Sequence, residues 1–210
     1  AGRNNYRFFT RTMNAGLAEQ IQLTGKLSGA LRNNEFLLHY QPQLDIRSGR
    51  IIGAEALVRW RDADGELIPP GRFIPLAERS GHIIPIGEWV LNEACVQAKQ
   101  WRDAGLELER VAVNLSPRQF QHHDIVATVC AALLDSGLAP SMLELEITES
   151  AMMHDSEQAA SALHYFREMG VRIAIDDFGT GYSSLSQLKK FPFTLLKIDQ
   201  TFVRGIGTDE

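Results

Sequence analysis

Residues 143–150 read LELEITES. Side chains on a strand alternate between its two faces, so Leu143, Leu145 and Ile147 share one face while Glu144 and Glu146 share the other. The same grammar returns on both sides of this stretch. IIGAEALVRW (51–60) and VAVNLS (111–116) are apolar runs that carry Glu55 and Asn114; IAIDDFG (173–179) carries Asp176 and Asp177, and LLKIDQ (195–200) carries Lys197 and Asp199. Six strands are expected, over 36–40, 51–58, 111–115, 143–147, 171–176 and 195–198. Helical patterns are expected over 71–79, 86–104, 124–136, 156–169 and 184–190. Strand then helix, repeated, makes βα units and a mainly parallel sheet.

The first two strands depart from that rhythm. Only QPQLDIRSGR (41–50) separates them, which is too short for a crossover helix, so this pair is expected to be antiparallel. The fold class implied is α/β, a modified TIM (β/α)8 barrel with an antiparallel first strand. In such a barrel the carboxyl ends of the strands converge on one face, where active sites of the fold lie. Glu55, Asn114, Glu146, Asp176, Asp177, Lys197 and Asp199 are then expected at one mouth.

Carboxylates gathered this closely raise one another's pKa values unless a positive charge holds them ionised. Lys197 is a single charge set against Glu55, Glu146, Asp176 and Asp177. An all-oxygen donor set without cysteine or a histidine cluster favours Mg²⁺ or Mn²⁺ over zinc. Adjacent aspartates suit a bridging role, Asp176 touching both of two ions and Asp177 mainly the second, as in two-metal phosphoryl chemistry.

The composition agrees with an anionic substrate reached through metal. The chain has 210 residues, 44% hydrophobic and 22% charged, and a formal charge of −5 whose acidic excess falls after residue 60. That balance argues against a basic surface for a nucleic-acid polymer. No apolar run approaches a membrane-spanning length, and the N-terminus AGRNNYRFFTRTM has no signal-peptide core, so a cytoplasmic location is expected. Cys95 and Cys130 lack metal-type spacing and read as buried free thiols.

At these residues the sequence resembles an EAL-domain cyclic di-GMP phosphodiesterase. The naming tripeptide is Glu55-Ala56-Leu57, and around it stand YQPQ (40–43), NLSPRQF (114–120), LEITES (145–150), DDFGTGYSSL (176–185) and LKIDQTFV (196–203). The leading GRNNYRFF (2–9) resembles the end of a GGDEF domain, the partner that commonly precedes EAL domains in one polypeptide. Residues 1–34 are therefore expected to be the end of an upstream GGDEF-like domain with a connector helix, and 35–210 an EAL domain. The family pattern continues past LKID with two more strands that have no counterpart after Asp199, so about six strands are expected here.

The resemblance implies roles. Glu55, Asn114, Glu146 and Asp176 match ligands of a first metal, with Asp176 and Asp177 serving a second. Lys197 matches the lysine that contacts the attacking water and the scissile phosphate, and Glu149 the glutamate that anchors the 176–185 loop. Gln41, Leu57 and Arg59 match positions lining the substrate site, and Asp199 a site-proximal residue. The implied activity is hydrolysis of cyclic di-GMP to linear pGpG in bacterial signalling, by a homodimer with an upstream GGDEF domain in the same polypeptide. A non-hydrolysing cyclic di-GMP receptor or regulatory module is the alternative.

Other residues invite plainer readings. His122 and His123 precede a helix and read as exposed or capping, and His39 as a packed core or rim histidine. Trp60, Trp89 and Trp101 read as packing residues, Trp60 being the one nearest the motif strand. The Gly179-Thr180-Gly181 turn lacks a phosphate-cradle pattern and reads as a positional loop.

Overall fold

The computed structural model describes residues 11–120, 125–148, 156–179, 191–204 and 206. The elements run α1 (Arg11–Ala30), β1 (Phe36–Leu44), β2 (Ile51–Arg61), β3 (Leu67–Ile68), α2 (Pro70–Ser80) and α3 (Ile83–Asp103). They continue with β4 (Arg110–Leu115), α4 (Pro117–Phe120), α5 (Ile125–Ser136), a 3₁₀ turn (Pro140–Met142), β5 (Leu143–Thr148), α6 (Ser156–Met169), β6 (Arg172–Phe178), β7 (Leu195–Ile198) and α7 (Gln200–Arg204). The chain is therefore α/β, as the alternating pattern implies. Every expected strand forms; the helix expected over 184–190 lies outside the described residues.

The sheet order is β1-β2-β4-β5-β6-β7, with the short β3 paired to β2. From β2 through β7 the path is parallel. Six residues connect β1 to its neighbour β2, closed by a bond from the Asp45 N–H to the Arg50 carbonyl of 2.9 Å. A connection that short joins antiparallel neighbours. β1 runs four residues past the expected end, taking in Gln41 to Leu44. Pro42 is tolerated there because β1 is the edge of the path.

Two compact units form. The smaller comprises residues 1–37 and 59–82. In it α1 packs on α2, burying Leu23, Leu27 and Ala30. Pro70 opens α2, where its missing N–H costs nothing, and Gly81 closes it at φ 83°. Phe36, Trp60 and Phe73 form an aromatic core with centroids 5.8–6.1 Å apart, and the Trp60 indole N–H donates to Glu35 at 2.8 Å. Trp60 is thus fully buried packing. Asp62 organises the β2–β3 turn: its Oδ1 accepts the N–H groups of Asp64 and Glu66, and its Oδ2 meets Lys26 at 2.7 Å.

The larger unit comprises residues 38–58 and 83–210. Register aligns Val113, Leu145 and Ile173 across β4, β5 and β6, and likewise Leu115, Ile147 and Ile175. These residues are almost fully buried, as are Leu91 of α3, Val129 of α5, and Leu163 and Phe166 of α6. The opposite face of the same strands carries the polar residues. Cys95 is buried and Cys130 half-buried, both as free thiols, and burial pushes the Cys95 thiol up to about 12. His39 is exposed, not packed, because it takes an outward position on edge strand β1. No helix among the described residues is long and apolar enough to cross a membrane.

Candidate active site on the polar face of the parallel strands

The period-2 alternation that buries Leu143, Leu145 and Ile147 puts Glu144, Glu146 and Thr148 on the other face. Register then sets their neighbours. Glu146 stands beside Asn114 of β4 and Ala174 of β6, and Thr148 beside Asp176. Glu144 stands beside Ala112, which in turn pairs with Glu55 of β2. The small side chains of Ala112 and Ala174 leave the space between the strands to the polar groups. Glu55 sits mid-strand, not at a strand end, because β2 runs on to Arg61 to pair with β3.

Lys197 is the hub. Its ammonium hydrogen-bonds to Glu146 Oε2, lies 3.1 Å from Glu55 Oε2 and 3.2 Å from Asp176 Oδ1. The Asn114 Nδ2 donates to the second Glu55 oxygen at 2.8 Å. Five of the expected site residues therefore meet in one network.

The β6–β7 register explains how Lys197 arrives there. Ile175 pairs with Leu196 and Phe178 with Ile198, so Asp176 and Asp177 together oppose the single residue Lys197. This two-against-one bulge turns the strand locally, a device common beside active sites. Asp177 takes up the bend at φ 52°, a left-handed conformation that Asp tolerates better than most residues. Its N–H donates to Asp176 Oδ1 at 3.0 Å.

Burial dominates the electrostatics. The Glu146 carboxyl is driven up by desolvation, against the pull of Lys197, with Glu55 and Asp176 adding repulsion. For Lys197 desolvation pulls downward, but Glu146, Glu55 and Asp176 outweigh it and the ammonium is held protonated. Asp177 is raised by desolvation and by Asp176 and Asp199. Asp199 faces Asp177 and also caps α7, accepting the Thr201 hydroxyl and, at 2.8 Å, the Thr201 N–H, and these bonds, the hydroxyl's foremost, lower its own pKa.

Among the described residues no trio of His, Cys, Asp or Glu stands at metal-holding spacing. The carboxylates close instead on the Lys197 ammonium. One feature nonetheless fits a cation: Glu146 Oε1 is buried with no hydrogen-bond partner, beside a donor set made only of oxygen and one carboxamide. A buried carboxylate oxygen left unpaired is costly, and a hard cation satisfies it.

The remaining expected residues are more scattered. Gln41 is exposed on β1 and Leu57 half-buried on β2. Arg59 is a half-buried residue of the smaller unit. Glu149, His122 and His123 lie outside the described residues.

A second polar layer, not singled out from the sequence, underlies the first. Glu144 is 2% exposed and its Oε2 lies 3.4 Å from the Arg110 Nε, which also donates to Gln43 at 2.9 Å. Gly53 leaves room for that pair: a Cβ there would come within 2.9 Å of Arg110 Cγ and of Gln43 Oε1. The signal lay in the acid of LELE two residues before Glu146, on the same face.

Comparison with known proteins places this arrangement. A model of the EAL domain matches residues 24–210. The chain is 49% identical over 208 residues to the bifunctional diguanylate cyclase/cyclic di-GMP phosphodiesterase MucR of Pseudomonas aeruginosa, covering 99% of this chain and 30% of that protein. It is 42% identical to the cyclic di-GMP phosphodiesterase PdeR of Escherichia coli, covering 98% of this chain and 31% of that protein. The chain thus spans about a third of the length of the curated relatives it matches. A solved cyclic di-GMP complex of the P. aeruginosa MucR phosphodiesterase superposes with TM-score 0.84 at 48% identity, over 90% of this chain and 76% of that one. The FimX EAL domain of Xanthomonas citri, also with cyclic di-GMP, superposes with TM-score 0.81 at 25% identity, over 94% and 76%. With its parallel strands, its antiparallel first strand and these likenesses, the fold is the modified TIM barrel of such domains, and the chain belongs to the EAL domain family.

Proposed function

We propose that this chain hydrolyses cyclic di-GMP to linear pGpG with the help of divalent metal. The observation that carries the reading is the network of Lys197 with Glu55, Glu146 and Asp176, joined by Asn114, in a chain 48% identical to one solved with cyclic di-GMP.

In this reading Glu55, Asn114, Glu146 and Asp176 hold one ion, Mg²⁺ or Mn²⁺, and Asp176 with Asp177 a second. When bound, such ions supply charge neutralisation and Lewis acidity at a phosphodiester that would otherwise repel its nucleophile. The chain's own residues do the rest. Lys197, kept protonated by its three carboxylates, orients the attacking water and meets negative charge that grows on the phosphoryl oxygens. Water adds at one phosphorus and one P–O bond of the ring opens, the proton passing to the departing ribose oxygen. Asp199, facing Asp177, holds the bulge turn in place. Gln41, Leu57 and Arg59 line the nucleotide, and Glu149 steadies the 176–185 loop. An upstream GGDEF domain in the same polypeptide and a homodimeric assembly belong to the same proposal, the former supported by the bifunctional name of MucR.

The test is incubation of the full-length protein with cyclic di-GMP and Mg²⁺ or Mn²⁺, with chromatography of the products. Linear pGpG that disappears when chelator is added is the expected result. Nucleotide that binds and returns intact would overturn the proposal in favour of a receptor.

A further inference from the structure

Asn114 is the penultimate residue of β4, and its carboxamide reaches Glu55 at 2.8 Å. Immediately after it the chain leaves the sheet. Ser116 is the first residue beyond the strand, so its N–H has no ladder partner and must be satisfied otherwise. Gln119 supplies the partner: its Oε1 accepts the Ser116 N–H at 3.0 Å, while its own N–H donates to the Ser116 carbonyl at 3.0 Å. One residue thus grips both backbone polar groups of the position two places after Asn114.

Gln119 is itself a buried polar residue, 4% exposed. Its amide rests directly on Gly87 of α3. A Cβ at position 87 would lie 2.0 Å from Gln119 Nε2, 2.6 Å from Cδ and 2.9 Å from Oε1. Gly87 lies inside a 21-residue helix and is not among the glycines of positive φ, so no turn requires it. A glycine in a helix interior is less favourable than alanine. What the position provides is a seat for the Gln119 amide.

We infer that Gln119, seated on Gly87, is a positioning residue for the candidate active site: it clamps the exit of β4 and so sets where the Asn114 carboxamide stands relative to Glu55. The inference rests on the reading of Asn114 as part of a metal-binding site. The clamp acts on backbone, and displacements of about 1 Å at a reacting centre cost on the order of 10²-fold in rate.

Three variants of the full-length protein test it, each read by Mn²⁺ affinity from the paramagnetic resonance of free Mn²⁺, by kcat and by melting temperature. Gln119→Met keeps an unbranched chain of similar volume and removes the acceptor. Gly87→Ala leaves the acceptor in place but drives a methyl into its seat. Asn114→Ala reports whether the site itself binds metal. Residues that orient the ligands of a metal typically cost about 10–100-fold in metal affinity or activity when mutated. The expected result is Mn²⁺ affinity and kcat both weakened about tenfold by Gln119→Met, with the melting temperature lowered by no more than the few degrees that one lost hydrogen bond costs, and a similar loss in Gly87→Ala. If Gly87→Ala does not fold, Gln119→Met decides. Mn²⁺ affinity and kcat within twofold of wild type in Gln119→Met, while Asn114→Ala weakens binding, would show Gln119 to be packing alone and overturn the inference. Unchanged Mn²⁺ affinity in Asn114→Ala would overturn the metal-site reading, and the inference with it.

Discussion

Lys197 gives a hydrogen bond to one oxygen of Glu146, while the other oxygen of the same carboxylate is buried without a partner. A buried anion is thus only half satisfied, by a cation that also serves Glu55 and Asp176. In the proposed reading, that open oxygen is where a bound divalent ion would supply the missing positive charge.

Replacing Lys197 with methionine removes the cation common to three carboxylates. Breaking a buried ion pair from one side costs about 3 kcal/mol or more. We expect Lys197→Met to melt lower than wild type without metal, to recover more of its melting temperature than wild type when Mn²⁺ is added, and to lose at least about 10²-fold in hydrolysis. Calorimetry with and without Mn²⁺, beside a product assay, checks all three.

Asp177→Asn separates charge from conformation. Asn tolerates the left-handed backbone found at φ 52°, so the bulge should survive. Hydrolysis is expected to fall about 10²-fold or more with the melting temperature unchanged. A clear drop in melting temperature of the metal-free variant would mean that the carboxylate is needed for the turn itself.

Arg110 and Glu144 form the ion pair beneath the site. Arg110→Met should cost about 3 kcal/mol in urea unfolding, because Glu144 is left buried with a second unpaired oxygen. The double variant Arg110→Met/Glu144→Met should regain most of that loss, since two apolar side chains of similar bulk need no partners. A double variant no more stable than Arg110→Met would argue that the pair organises Gln43 and β1 as well.

In the smaller unit, Asp62 is held below its ordinary pKa by Lys26 and by the Glu66 and Asp64 N–H groups, despite desolvation. A depressed folded pKa contributes stability that is fully present above the unfolded value of about 3.9 and lost as pH falls through the folded one. The stability difference between wild type and Asp62→Asn is therefore expected to be constant from neutral pH to about 5 and to shrink below about 4. Denaturation curves at a series of pH values measure it; a difference that instead grew on acidification would reverse the assignment.

Much of this molecule was legible in its residue order. Alternation in LELEIT specified a strand with an acidic face, and five such strands separated by amphipathic helices specified a parallel α/β architecture. The short 41–50 link specified the antiparallel start, and the motif strands carried the acids that gather around Lys197. These features are local: periodicity, turn length and residue type act over a few neighbours, and a reader of the chain has those neighbours in view.

Register and close approach were not legible, because they depend on which strands and helices lie side by side. Only the tertiary structure sets Asp176 and Asp177 against the single residue Lys197, a one-residue offset that no local pattern encodes. It also seats Gln119 on Gly87, thirty-two positions apart in sequence, and pairs Arg110 with Glu144 behind Gly53. Charge balance follows the same division. The chain alone shows four acids and one lysine, and composition suggests that the lysine is overmatched. Folding brings three of those carboxylates within reach of one ammonium, and leaves one buried oxygen of Glu146 open.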